Sequence, residues 1–186
     1  MLVVDKLRKI FVSRPRNKIE DKDLIPAAVL LLLYEKHGIP YLLFTKRTEK
    51  VADHKGQISF PGGVRDKNDE SLEITALREA SEEIGIDGDK VEVIGLLDDC
   101  TTVSTNYVIT PVVGVFSSLP TLTVNQEEVS EIIEVPLSLL HDSFKGKNGA
   151  NKYIPGYPEF HYGQHIIWGA TARILYQFLS LLALAD

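Results

Sequence analysis

The chain reads as an α+β protein, a mixed β-sheet sandwiched between helices, and three observations lead there. Apolar, strand-like runs recur between residues 27 and 135, bounded by Gly, Pro and Asn turn signals. Helical periodicity is concentrated in a few segments, at residues 4–12, 72–84 and 165–184. The middle helix follows directly on a strand and a Gly-Gly pair, as a helix does when it is laid back on a sheet. At 186 residues and 44% hydrophobic content, the chain is long enough for one globular domain with its own core. Residues 1–23 are expected to form an N-terminal helix and connector, and residues 24–186 the main body.

Each element has its own signal. Val4, Leu7, Ile10 and Phe11 recur at helical spacing, and Pro15 ends that helix before a charged, exposed connector over residues 16–23. Residues 27–34 (AAVLLLLY) are a continuous apolar run, as expected of a strand covered on both faces. His37-Gly38-Ile39-Pro40 is turn chemistry, so residues 41–46 return as the second strand of a hairpin. Residues 91–97 and 107–116 are further strands, and Pro111 inside the second predicts an edge or a bulge. Residues 121–135 are expected to hold a pair of short strands around Asn125-Gln126-Glu127-Glu128. Pro136 suits the first turn of a short helix over residues 137–140, and residues 143–152 form a Gly/Lys/Asn-rich, mobile loop. The last helix, residues 165–184, presents Trp168, Leu175, Phe178 and Leu182 to the core. Arg173 and Gln177 in its middle, without flanking basic residues, argue against a membrane span.

The chemistry is concentrated in residues 60–86, FPGGVRDKNDESLEITALREASEEIGI. On a helix Glu79, Glu82 and Glu83 are separated by three and four residues, so the carboxylates share a face. Like charges at that spacing repel, which a purely structural helix would avoid. A hard divalent cation such as Mg²⁺ or Mn²⁺ reverses the argument, because it takes oxygen ligands and commonly bridges carboxylates to substrate phosphates. Leu72, Ala76, Ala80 and Ile84 give the same helix a small apolar face, and Gly85 supplies its stop. Ahead of it, Pro61 breaks the strand ending at Phe60, and a Gly62-Gly63 turn lets the backbone approach a ligand or ion. Lys46, Arg47, Lys50, His54 and Lys55 crowd the loop leading into that turn and are candidate phosphate contacts.

These residues resemble the Nudix box, Gly-x5-Glu-x7-Arg-Glu-U-x-Glu-Glu-x-Gly-U, where U is aliphatic. Arg78, Glu79, Glu82, Glu83, Gly85 and Ile86 match, and Ala80 stands at the first aliphatic position. Glu70 has the right spacing to Arg78, but Gly63 lies one residue too far from it, so Asp69 and Glu70 are both candidates for the first acid. The resemblance implies an α/β/α sandwich with a mixed sheet between helices. It also implies Mg²⁺ or Mn²⁺ held by Glu79, Glu82, Glu83 and the Gly62 carbonyl. Glu79 is then the expected base and Arg78 orients the acids. Glu128 completes the metal shell from outside the box or is a surface carboxylate; both readings stand open.

Upstream, Leu42-Leu43-Phe44-Thr45-Lys46-Arg47-Thr48, Gly56 and Phe60-Pro61-Gly62-Gly63 are similar to the signature preceding the box in coenzyme A pyrophosphatases. Val108-x-Thr110-Pro111-Val112-Val113, Glu128-Val129 with Val135-Pro136-Leu137, and Trp168-Gly169-Ala170-Thr171-Ala172-Arg173 extend the likeness from about residue 27 onward. The resemblance implies hydrolysis of coenzyme A or acyl-coenzyme A to 3′,5′-ADP and (acyl-)4′-phosphopantetheine. ADP-ribose or another nucleotide derivative is the alternative substrate, and a non-catalytic nucleotide-binding module the alternative function. Ala52 departs from the signature, which carries a basic residue four positions before Gly56.

Composition narrows the partners. A net charge of −6 argues against a general nucleic-acid surface, which needs a basic face. The single cysteine, Cys100, rules out an intramolecular disulfide and fits a reducing compartment. The amino end carries charges where a secretory signal would be apolar, so a cytoplasmic location is expected. The assembly is left open, a homodimer included.

Overall fold

The computed structural model describes residues 2–49, 56–102, 105–117, 121–145 and 157–184. In chain order its elements are α1 (Leu2–Ser13), β1 (Ile25–Lys36), β2 (Ile39–Arg47), β3 (Ile58–Ser59), β4 (Gly62–Val64) and α2 (Leu72–Ile84). There follow β5 (Glu92–Leu96), β6 (Cys100–Thr101), β7 (Tyr107–Phe116), β8 (Val129–Pro136), α3 (Leu137–Phe144), β9 (Phe160–Tyr162), β10 (His165–Ile167) and α4 (Gly169–Leu184).

β1 is the axis of a mixed sheet. It runs parallel to β7 along most of its length. Its carboxyl end pairs antiparallel with β2 and its amino end antiparallel with β4. β2 carries β3 and β8 beyond it, and β7 carries β5 and β6. The β1–β2 hairpin closes through His37 and Gly38, both at positive φ (54° and 77°), the two-residue turn whose twist matches that of the strands.

The apolar run in β1 is covered on both faces, as its composition demands. Ala28, Leu30, Leu32 and Tyr34 join the core beneath α2, with Ala76, Ala80 and Ile84 of that helix. Leu31 and Leu33 alternate to the opposite face, where Phe44, Leu137 and the α4 residues Leu175, Phe178 and Leu182 meet them. Leu30 through Leu33 are fully buried. Each buried leucine contributes roughly 1.5–3 kcal/mol, so this strand anchors both layers of the sandwich. Cys100 packs partly buried against the α4-side core, and burial raises its thiol pKa.

The structure departs from the sequence reading at several points. Gly62 and Gly63 do not form a turn; they pair with Val29 and Ala28 as strand β4. Residues 121–125 are not a strand, because Thr123 and Asn125 spend their N–H groups on the Ile84 and Glu83 carbonyls at the end of α2. Pro111 lies in an interior strand. Its carbonyl accepts from Leu97, so its missing N–H faces the break between β5 and β6, where no ladder bond is lost. α4 begins at Gly169, and His165–Ile167 instead pairs with β9. Trp168, expected in the core, is 52% exposed.

The connector after α1 is more tightly held than its charge suggests. Arg14 pairs with Asp98 and Arg16 with Asp99, while the Asn17 and Ile19 N–H groups donate to the same two carboxylates. Of the mobile loop expected over residues 143–152, Ser143 and Phe144 instead end α3, and residues 146–152 lie outside the described residues. Among the described residues no helix is long and apolar enough to cross a membrane.

Candidate active site

α2 starts and stops where its sequence says it should. The Ser71 hydroxyl accepts from the Ile74 N–H at 3.3 Å. Gly85 ends the helix at φ 72°, and a Cβ there would lie 2.8 Å from the Thr123 carbonyl oxygen. With its alanine face on the sheet, the helix turns Glu79 and Glu83 down towards β4, their side chains 16% and 4% exposed. Glu82 is different: its side chain is 57% exposed and pairs with Arg78 at 3.2 Å.

β4 is built from glycine because β1 crowds Gly62 and the Glu79 carboxylate crowds Gly63. In the β1–β4 ladder Gly62 occupies a non-hydrogen-bonded position opposite Val29, so its N–H and carbonyl both turn away from β1. The N–H donates to Glu83 Oε2 at 3.3 Å. A Cβ on Gly62 would strike the Ala28 carbonyl at 2.3 Å, and one on Gly63 would sit 2.4 Å from Glu79 Oε2. The glycine pair thus lets backbone and carboxylates share one small volume.

Arg78 organises the acids. Its Nη2 lies 3.0 Å from Asp69 Oδ2 and 2.9 Å from Glu79 Oε1 and donates at 3.1 Å to the Val64 carbonyl. Its Nε donates to Asp69 Oδ1 at 3.1 Å. These acceptors raise the guanidinium pKa, and the Arg78 bonds hold the Asp69 carboxyl down at about 2. Of the two candidates for the first acid, Asp69 is the one Arg78 grips. It also accepts from the Thr75 hydroxyl at 2.9 Å and is buried, while Glu70 is exposed. The sequence pattern pointed to Glu70 by spacing; only the fold of the 65–71 loop brings Asp69 under Arg78.

A third carboxylate arrives from the other side. The turn before β8 holds Glu128, and its charge raises the pKa values of both Glu79 and Glu83. Thr48 fixes that turn: its N–H donates to the Glu128 carbonyl and its hydroxyl to the Glu127 carbonyl, both at 2.9 Å. Arg47 lies 3.9 Å from Glu83, and its buried Nε has no hydrogen-bond partner among the described residues. Lys46 alternates to the opposite strand face and stands 4.0 Å from Glu131, away from the acids. Lys50 and Lys55, the other candidate phosphate contacts, and Ala52 lie outside the described residues.

The electrostatics of this cluster are those of a site short of positive charge. Burial, ahead of every other cause, pushes the Glu83 carboxyl up to about 8, and Arg47 offsets only part of that. Burial raises Glu79 as well, against the pull of Arg78. Among the described residues no three acidic, His or Cys side chains converge closely enough to enclose an ion. Glu79 and Glu82 instead lean on Arg78. The donor set is nonetheless hard oxygen throughout, and under-compensated buried carboxylates fit a divalent cation such as Mg²⁺ or Mn²⁺. Glu79, Glu83, Glu128 and the Gly62 carbonyl are the groups that could hold it.

Comparison with known proteins bears on the fold and the family. The NUDIX domain model matches residues 24–157. A Photorhabdus laumondii protein named "Uncharacterized Nudix hydrolase NudL" is 40% identical over 169 residues, 88% of this chain and 87% of its own. A NUDIX hydrolase from Alicyclobacillus acidocaldarius superposes with a TM-score of 0.58 at 16% identity, over 90% of this chain and 95% of that one. A C. elegans Ap4A hydrolase superposes with a TM-score of 0.57 at 15% identity, over 86% of this chain and 98% of that one. These likenesses include the mixed sheet between helices. The chain belongs to the NUDIX domain family.

Proposed function

We propose that the chain hydrolyses the pyrophosphate linkage of coenzyme A or an acyl-coenzyme A, with Mg²⁺ or Mn²⁺, releasing 3′,5′-ADP and (acyl-)4′-phosphopantetheine. The observation that carries the hydrolytic part is the meeting of half-buried Glu79 and buried Glu83 with the Gly62–Gly63 backbone. Its relatives' name, Nudix hydrolase, supports the same reading. The substrate rests on the resemblance of residues 42–63 and 168–173 to coenzyme A pyrophosphatases.

Glu79, Glu83, Glu128 and the Gly62 carbonyl would hold the cation, with Glu82, the most exposed of the acids, at the solvent side. A bound divalent cation neutralises phosphate charge and lowers the pKa of a bound water. Glu79 takes the proton of the attacking water on a carboxylate oxygen, and burial raises its pKa against the pull of Arg78, the direction that makes a carboxylate a better proton acceptor. Arg78 keeps that oxygen aimed by its bond to Oε1, and Asp69 in turn keeps Arg78 from swinging onto the substrate. Arg47, whose Nε has no hydrogen-bond partner among the described residues and which lies 3.9 Å from Glu83, would meet a phosphate oxygen beside that acid. Gly63, a further candidate for substrate contact, leaves at its Cβ position the space that the Glu79 carboxylate fills. Lys46, Lys50 and Lys55 are the remaining candidates for phosphate contact, of which Lys46 has the wrong strand face for this cluster.

A hydrolysis screen over coenzyme A, acyl-coenzyme A, ADP-ribose, NADH and nucleoside triphosphates in Mg²⁺ tests the substrate. The highest kcat/KM is expected for coenzyme A or a thioester of it. A clearly higher value for ADP-ribose or a triphosphate would keep the chemistry and replace the substrate. Turnover of none of them would favour a non-catalytic binding module, which has no use for this set of clustered acids.

A further inference from the structure

Glu128 is carried by a turn, and a turn does not by itself aim a carboxylate. Asn125 makes the bonds that do. Its N–H donates to the Glu83 carbonyl at 2.9 Å, tying the turn to the end of α2 beside a buried acid. Its carbonyl accepts from the Glu128 and Val129 N–H groups at 3.1 and 2.9 Å. Its side chain then divides its two functions. Oδ1 accepts from the Glu127 N–H at 3.1 Å, closing an Asx turn, and Nδ2 donates to Glu128 Oε1 at 3.0 Å. Only an amide supplies an acceptor and a donor in that geometry: aspartate keeps the Asx turn but opposes the carboxylate, and alanine loses both.

From these bonds we infer that Asn125 is a positioning residue that ties Glu128 to the end of α2, holding its carboxylate on the side of Glu79 and Glu83 so that it can join them on a cation. The inference rests on the metal-dependent reading of the site. A hydrogen-bonded partner that orients a metal-binding carboxylate typically changes metal affinity by 10- to 100-fold. Asn125 reaches no reacting atom, so its effect passes through Glu128 alone.

The test uses Mn²⁺ alone, titrated by calorimetry and electron paramagnetic resonance into the wild type, Asn125→Ala, Asn125→Asp, Glu128→Gln and the Asn125→Ala/Glu128→Gln double variant. Both Asn125 variants and Glu128→Gln are expected to bind Mn²⁺ about ten-fold more weakly. The double variant is expected to be no weaker than Glu128→Gln, since the clamp has nothing left to aim. Asn125→Asp retains the bond to the Glu127 N–H, so an unchanged unfolding midpoint separates aiming from folding. Wild-type affinity in both Asn125 variants, no loss in Glu128→Gln, or losses that simply add in the double variant would each overturn the inference while leaving the metal site standing. A wild type that binds no Mn²⁺ would overturn both.

Discussion

Replacing Glu83 by glutamine isolates the electrostatic strain stored under α2. The side chain is 4% exposed, and its carboxyl, ordinarily near 4.5, is pushed up to about 8 by burial. In the unfolded chain the group loses its proton near pH 4.5; in the folded protein it holds it to about pH 8. Its contribution to stability is therefore complete below pH 4.5 and is lost as pH rises through 8. The shift corresponds to roughly 3–5 kcal/mol of folding free energy between pH 5 and pH 9 in metal-free protein. Glutamine matches the neutral carboxyl in shape and keeps an acceptor for the Gly62 N–H. Urea unfolding of both proteins in EDTA at pH 5, 7 and 9 should give nearly equal stabilities at pH 5. Glu83→Gln should be the more stable by several kcal/mol at pH 9. Saturating Mg²⁺ should narrow the gap by stabilising the wild type more. Parallel stability curves across this range, or a wild type that gains on the variant as pH rises, would refute the assignment of Glu83 as an under-compensated buried acid.

Other perturbations have distinct signatures. Asp69→Asn weakens the fork that holds Arg78, and hydrogen bonds to charged groups are worth about 1.5–3 kcal/mol. A loss of that order in urea, together with a fall in kcat, is expected; unchanged kcat would remove Asp69 from the positioning of Glu79. Because the Asp69 carboxyl is held down near 2, the stability it lends is present above its ordinary pKa and disappears only as pH falls through about 2. Gly63→Ala puts a methyl group 2.4 Å from Glu79 Oε2, and displacing that carboxylate by about an ångström should reduce kcat about a hundred-fold. Circular dichroism should show the fold retained, and wild-type turnover would mean that Glu79 is not at the reacting centre. Between the remaining acids, Glu83→Gln should reduce Mg²⁺-dependent turnover far more than Glu82→Gln, since Glu82 faces solvent; the reverse order would exchange their roles.

What could be read from the sequence was what local pattern determines. β1, β2 and β7 are long, apolar and bounded by turn residues, and α2 has a cap, a stop and an alanine stripe, so each was legible. Glu79 and Glu83 came with it, because their four-residue spacing puts them on one face; Glu82, expected on that face too, turns to solvent instead. Strand β4 was not legible: the Gly62-Gly63 pair disfavours a strand, and the three-residue segment becomes one by pairing with β1. Residues 121–125 look like a strand but are used to satisfy the last carbonyls of α2, a tertiary demand that no local pattern announces. Asp69 against Glu70 is the same kind of case, decided by which carboxylate lies beneath Arg78. Lys46 and Arg47 are neighbours in sequence yet opposite in the sheet, and strand alternation could have separated them. Asn125, three residues before Glu128, could have been noticed as an Asx-turn residue, but its bond to that carboxylate is visible only in three dimensions.

The most direct measurement is product analysis of coenzyme A incubated with the wild type and with Glu79→Gln, each with Mg²⁺ and with EDTA, by liquid chromatography and mass spectrometry. A metal-dependent hydrolase acting through Glu79 gives 3′,5′-ADP and 4′-phosphopantetheine from the wild type in Mg²⁺ alone, with the variant's rate reduced by orders of magnitude. Equal product from Glu79→Gln, equal product in EDTA, or intact coenzyme A in every sample would contradict it.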